Sequence, residues 1–274
     1  MLGHTENKIF MKIALAQTPA SKGDIAENFE TALDFARMAK QGGAKLAVFP
    51  EMFLTGFNYE KNLNALKDGA DFAEKLCAVA LNNSMYVAGS VPWLEPGAEK
   101  PSNRMILAGP RGDILAGYDK IHLFGKFKED LHVAGGAAPG IVETPFGKIG
   151  LTVCYDLRFA ELYVSMALAG AEIILVSAAW PAERIKHFKA LALARAIETQ
   201  CFVACVNQAG PEDFGKKKIC YGGGSAVFDP WGETVCGLGE EPGVETCRIN
   251  MPLIEKSRAE IPALKDRKPQ YYRL

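Results

Sequence analysis

Nowhere does the chain carry an apolar run long enough to cross a bilayer, and its opening MLGHTENKIF lacks the apolar core of a secretory leader. It has no Cys-x-x-Cys pair, and its four histidines are scattered, so neither a zinc site nor a redox dithiol is indicated. Seven cysteines (77, 154, 201, 205, 220, 236, 247) make an odd number, and several sit inside apolar runs. They do not read as a disulfide framework; reduced thiols in a cytoplasm fit the pattern. An excess of either charge is missing too, since 31 Lys and Arg against 32 Asp and Glu leave a net charge of −1. That balance offers no electrostatic footprint for nucleic acid or for an anionic membrane. The Lys216-Lys217-Lys218 run reads as a solvated loop. Repeats, low-complexity stretches and linkers are absent.

What is present is an ordinary globular composition, 49% hydrophobic over 274 residues, enough for a large core. Residues 1–10 read as a polar N-terminal extension and 11–274 as a single domain. MKIALAQ from Met11 is a strand, and Asp24 caps a helix over 25–41 that Gly42-Gly43 end. A strand over 45–49, a helix over 63–81 and a strand over 85–91 follow. Turn residues at 110–113, 145–147 and 229–232, each between short apolar runs, predict three hairpins. A strand over 172–177, a helix over 182–200, and strands over 202–206 and 244–248 complete the pattern, before a short terminal helix. Helices alternating with strands and hairpins indicate α/β layers, with two helix-covered sheets packed together.

The stretch GLTVCYDLRF (150–159) places Cys154 where a buried strand turns into a helix, read over 158–169 and closed by Gly170. Backbone N–H groups can point outward at such an elbow, and the positive end of the helix dipole can favour a thiolate. On the elbow alone, Cys154 reads equally well as one more buried cysteine. Glu51 ends the apolar strand LAVFP, where burial raises a carboxylate's pKa and suits it to proton transfer near neutrality. Its ordinary alternative is a strand-end ion pair. Lys120, in YDKIHLF, can aim a cation at a developing oxyanion or simply lie at the surface. His122 invites a Cys–His pairing, but a lone histidine in an apolar stretch is more commonly a hydrogen-bonded structural residue. Glu129 sits in a charge run, KFKED.

Taken together, these segments resemble the nitrilase, or carbon–nitrogen hydrolase, superfamily along nearly the whole chain: AQ and GD…N near the start, PE-F-TGF around Glu51, YDK-HLF around Lys120, CYDLRF around Cys154, and DP-GE late. The resemblance implies a four-layer α-β-β-α sandwich of the nitrilase type, commonly a homodimer or higher homo-oligomer. It implies a Glu–Lys–Cys triad at Glu51, Lys120 and Cys154, with a second glutamate at Glu129. No metal or organic cofactor is implied. The backbone N–H of Tyr155 would share the oxyanion with Lys120.

Trp180-Pro181-x-x-Arg184-x-x-His187, followed by ARAIETQ and Val206-Asn207, looks most like the ω-amidase branch. The implied substrate is a small primary amide of a dicarboxylic acid, with Trp180 and Arg184 in the substrate pocket. Lys126 and Lys128 are further candidate cations for its carboxylate, while Arg184 could equally pair with Glu183 or Glu161. Nitrile or N-carbamoyl hydrolysis uses the same triad and stays open, as do an ammonia-supplying subunit and a silent scaffold. Loops around 53–60, 124–140 and 180–187 should set specificity. Two departures stand out: Ala160 where the family usually has proline, which should change the helix start more than the chemistry, and Gln200-Cys201, to which no role attaches.

Overall fold

The computed structural model describes residues 10–21, 23–214 and 217–272. Strand β1 (Phe10–Gln17) leads into helix α1 (Ile25–Gln41), whose Asp24 cap accepts from the N–H groups of Ala26 and Glu27. Strand β2 (Leu46–Val48) is followed by α2 (Tyr59–Lys67) and α3 (Phe72–Asn83). The single helix expected over 63–81 is thus two. Gly69 at φ +93° turns the chain, and Asp71 starts a new helix by accepting from Glu74 N–H.

Strands β3 (Tyr86–Trp93), β4 (Ser102–Ala108) and β5 (Ile114–Asp119) form an antiparallel meander. A short helix α4 (Glu129–His132) precedes β6 (Gly140–Thr144) and β7 (Gly147–Val153). Next come α5 (Ala160–Leu168), β8 (Ile173–Ala178), α6 (Ile185–Thr199) and β9 (Phe202–Asn207). A hairpin of β10 (Ala209–Phe214) and β11 (Lys217–Gly222) stands apart as its own two-stranded sheet. It was not expected, and it places Lys217 and Lys218 on a strand rather than in a loop; Lys216 lies outside the described residues. Strands β12 (Ala226–Phe228), β13 (Thr234–Gly237) and β14 (Gly243–Asn250) and helices α7 (Pro252–Glu260) and α8 (Ala263–Asp266) close the fold. The expected extension over 1–10 lies outside the described residues except for Phe10, which already belongs to β1.

Two six-stranded sheets result, in the orders β14-β1-β2-β3-β4-β5 and β13-β12-β9-β8-β7-β6. Strand alternation divides their residues between two cores. On β1, Ile13 and Leu15 face the other sheet, while Ala14 and Ala16 face α1 and α3; Met105 and Leu107 alternate with Ile106 and Ala108 on β4 in the same way. Across the interface β1 packs on β9, β3 on β8 and β4 on β7. Helices α5 and α6 cover the outer face of the second sheet through Leu162, Met166, Phe188 and Ala192. The layers therefore run α-β-β-α, the four-layer sandwich. Each fully buried aliphatic side chain in these cores contributes about 1.5–3 kcal/mol, and together they hold the ends of β2, β5 and β7 at one edge of the sandwich. Among the described residues, no helix is long and apolar enough to cross a membrane.

Candidate active site

Three chain segments leave those strand ends and meet in one cavity. It encloses about 510 Å³, part of it open to solvent, and is lined by Glu51, Lys120, Glu129 and Cys154 beneath a wall of aromatic residues. Glu51 follows β2, its own N–H donating to Ala178 O at 3.3 Å and its carbonyl accepting from Gln208 Nε2 at 2.6 Å. Lys120 follows β5 and is held by backbone bonds to Asn103 O and from Gly136 N–H. Cys154 follows β7.

Glu51 and Lys120 are each about 2% exposed, and Lys120 Nζ donates to Glu51 Oε1 at 2.8 Å. The same ammonium reaches Glu129 Oε2 at 2.8 Å and Oε1 at 3.1 Å. Phe124 N–H adds a 2.7 Å bond to Glu129 Oε2. Cys154 lines the same cavity as Glu51, whose carboxylate acts on the buried thiol.

The electrostatics follow from two carboxylates around one cation in a dry pocket. Burial pushes Glu51 up, against the opposing pull of Lys120. Glu129, also buried, ends below its ordinary value because Lys120 and its hydrogen bonds outweigh the desolvation. Lys120 stays firmly charged: burial opposes the ammonium, but Glu129 and Glu51 overcome it. Cys154 is raised well above an ordinary thiol, first by burial and then by the negative charge of Glu51. This corrects the expectation of a dipole-stabilised thiolate. A 3₁₀ turn over Cys154–Arg158 separates the cysteine from α5, which starts only at Ala160, so Cys154 is not at an α-helix N-terminus.

The elbow itself is strained, with Cys154 in the left-handed region at φ +47°. Such a conformation costs a non-glycine residue on the order of 1–3 kcal/mol and needs outside support. Asp156, fully buried, supplies it by accepting from Val153 N–H, Tyr118 Oη–H and His122 N–H at 3.0, 2.8 and 3.1 Å. Arg195 of α6 closes the other side, donating from Nε to Leu157 O. His122 Nδ1 also lies 2.8 Å from Asp156, and its ring stacks on Phe159. It lies outside the cavity lining, so the structural reading of this histidine stands.

Tyr155 lines the cavity, and its N–H lies in the first turn of the 3₁₀ segment, where no acceptor within the segment is available. Trp180 and Arg184 line it as well, with Trp180 Nε1 donating to Arg184 O at 3.0 Å. Asn207 clamps the Trp180 backbone from both sides, accepting from its N–H at 2.6 Å and donating to its carbonyl at 3.1 Å. Arg184 forms no ion pair with Glu183, Glu161 or any other carboxylate among the described residues. Lys126 and Lys128 are exposed and do not line the cavity. Each of the three loops expected to set specificity contributes to the walls: Phe57 and Tyr59, Phe124 and Phe127, and Trp180, Pro181 and Arg184.

Four contributors escaped the sequence reading. Arg158, inside the quoted CYDLRF, places its guanidinium 4.8 Å from the Trp180 ring centre and lines the cavity without a carboxylate partner among the described residues. Asn103 bonds both Glu51 and Glu129; its signal is a polar residue entering a buried strand. Tyr59 packs flat on His132 at 5.3 Å. Tyr221, on the unexpected hairpin, donates to the buried Glu212 at 2.6 Å and faces Phe57. Gln200, meanwhile, gains a role: its left-handed backbone caps α6, and Nε2 ties it to the carbonyls of Ser257 and Ile261.

No group of three His, Cys, Asp or Glu among the described residues is arranged to hold a metal. The carbon–nitrogen hydrolase sequence profile matches residues 12–259. A 2-oxoglutaramate amidase of Bacillus subtilis (strain 168) is 33% identical over 266 residues, covering 95% of this chain and 98% of the relative. A deaminated glutathione amidase of Bos taurus is 31% identical over 282 residues, covering 95% and 83%. Among solved structures, a mutant amidase from Nesterenkonia sp. AN1 superposes with a TM-score of 0.84 at 27% identity, with 96% of each chain covered. In that structure the acetamide moiety of fluoroacetamide is covalently added at the active-site cysteine. A profile running from β1 to α7, and relatives aligned along nearly the full length, establish that the chain belongs to the carbon–nitrogen hydrolase family.

Proposed function

We propose that the protein is an amidase for small carboxylated primary amides, the ω-amides of dicarboxylic acids, working through a Cys154 thioester. Glu51 takes the thiol proton as the sulfur attacks the amide carbon. Lys120 gives one N–H each to Glu51 and Glu129, and its third, with the Tyr155 N–H, holds the oxyanion. Collapse of the tetrahedral adduct breaks the C–N bond, and ammonia leaves with the proton from Glu51. Glu51 then takes a proton from water, whose oxygen attacks the thioester; the acid departs and the thiol regains its proton. Glu129 keeps Lys120 charged and aimed.

One observation carries the substrate class: Arg158 and Arg184 line the same cavity as Cys154, and neither has a carboxylate partner among the described residues. A guanidinium in a cavity is suited to a planar carboxylate, which it can grip with two hydrogen bonds. The aromatic residues lining the cavity suit the short apolar chain that separates that carboxylate from the amide. The profile match over 12–259 supports reading 11–274 as one catalytic domain. Free thiols support a reducing compartment such as the cytoplasm. Exposed Leu168 on α5 and Ile197 on α6 support a homodimer joined through the outer helices.

The test compares kcat/KM for succinamate with butyramide, and for 2-oxoglutaramate with deaminated glutathione and butyronitrile. The carboxylated amides should exceed butyramide by at least about tenfold, the value of roughly one charge-assisted hydrogen bond. Arg158→Ala and Arg184→Ala should erase that preference while leaving butyramide turnover nearly unchanged. Equal rates with and without the carboxylate would contradict the carboxylate-binding role. Turnover of the nitrile alone would remove the amidase reading.

A further inference from the structure

Asn103 is fully buried on β4, and its amide lies between the two carboxylates. Nδ2 donates to Glu51 Oε1 at 2.7 Å and to Glu129 Oε1 at 3.1 Å. On its other side, Oδ1 accepts from Ser90 Oγ at 2.8 Å, and that hydroxyl oxygen accepts from Met52 N–H at 3.0 Å. The chain of donors fixes the amide's orientation. A reversed amide would set its oxygen against two carboxylate oxygens.

Lys120 bonds the same Glu51 oxygen as Asn103, so Oε1 is engaged twice. We propose that Asn103 is a positioning residue that turns Oε2 of Glu51 toward the Cys154 thiol and holds Glu51 ready to receive its proton. This rests on Glu51 being the base.

The charge balance explains why an amide is suited to the place. Charged and titratable groups face Glu51 from every side: Lys120 after β5, Glu129 on α4, Cys154 at the elbow, Tyr59 on α2, and Glu212 and Tyr221 on the β10–β11 hairpin. Only Lys120 among them is a cation, and it is shared between two carboxylates. Asn103 gives each carboxylate one more N–H without adding charge or a titratable proton. Hydrogen bonds to the ionised form favour it, so removing them makes Glu51 harder to ionise. No neighbour in that set can replace the lost donors.

The test is the pH dependence of Cys154 alkylation by iodoacetamide, in which the sulfur displaces iodide and the thiol proton passes to Glu51. Labelling is read by mass on the tryptic peptide from Ile149 to Arg158, which contains no other cysteine. In Asn103→Leu the rising limb should move up by about one pH unit, and labelling at about pH 6 should slow on the order of tenfold. Ser90→Ala, which leaves the amide but frees it to turn, should move the limb the same way by less. A folded Asn103→Leu protein with a wild-type limb overturns the proposal. Should that variant not fold, an unmoved limb in Ser90→Ala overturns it instead. The readout needs no knowledge of the substrate, so an error in the substrate class leaves it intact. If Glu51 is not the base, Glu51→Gln will label with the wild-type profile, a result distinct from an unmoved limb in Asn103→Leu alone.

Discussion

Replacing Cys154 with alanine is expected to lower amide turnover by on the order of 10⁵-fold or more, because the nucleophile of a unit such as this has no substitute. The fold should be kept. Alanine occupies the left-handed position at φ +47° with the same strain as cysteine, and the Asp156 bonds that shape the elbow come from other residues. Burial and the Glu51 carboxylate both raise the Cys154 thiol's pKa, so removing the sulfur takes no favourable charge away from its neighbours. A melting temperature close to wild type with activity at background is the expected pair of results, read by thermal denaturation and ammonia release. Substantial residual turnover would mean that another group attacks the amide.

Lys120→Ala should be costly in two ways at once. Lys120 is the one cation between Glu51 and Glu129, with all three side chains about 2% exposed. Breaking a buried ion pair by deleting one partner typically destabilises by about 3–5 kcal/mol, since the remaining charges are left without compensation. The sign of the pH dependence follows. Glu129 is held below its ordinary value by Lys120, so its ionised form contributes stability at neutral pH that is lost as pH falls. Without Lys120 both carboxyls take up protons more readily, and the stability gap to wild type should narrow in acid.

Combining Lys120→Ala with Glu51→Gln removes one of the two stranded carboxylates. The double variant should therefore be more stable than Lys120→Ala alone, and its activity loss should be far less than the product of the single losses. Denaturant unfolding at neutral and acid pH, with kcat/KM for succinamate alongside, measures both couplings. Clean additivity in stability would mean that the two side chains do not share one charge cluster.

Much of this site was legible because its parts are carried by local sequence. Glu51, Lys120 and Cys154 each end a strand in a short apolar setting, and strand ends are where a layered α/β fold brings side chains together. Helix α1 was legible to the residue because Asp24 and Gly42 mark both of its ends. What was not legible depends on contacts distant in sequence. The β10–β11 hairpin is rich in polar residues, and its strands are fixed by Tyr221 and Glu212 reaching the segment after Glu51. The raised pKa of the thiol could not be read from the elbow, because it follows from burial and then from Glu51, 103 residues away in sequence, and because a 3₁₀ turn displaces the helix. Arg158 was hidden inside a recognisable motif, and only the position of Trp180 shows that its guanidinium faces the cavity. Asn103 illustrates the same limit: a buried strand amide has many uses, and its two carboxylate partners lie 52 and 26 residues away.

The proposed mechanism passes through a covalent acyl-enzyme on Cys154. It is tested most directly by mixing the wild-type protein with succinamate, quenching in acid during turnover and mapping the tryptic peptides by mass. One succinyl group is expected on the peptide from Ile149 to Arg158, lost on treatment with hydroxylamine and absent from Cys154→Ala. Steady ammonia release with that peptide unmodified, or with the acyl group on Cys77 or Cys236 instead, would contradict it.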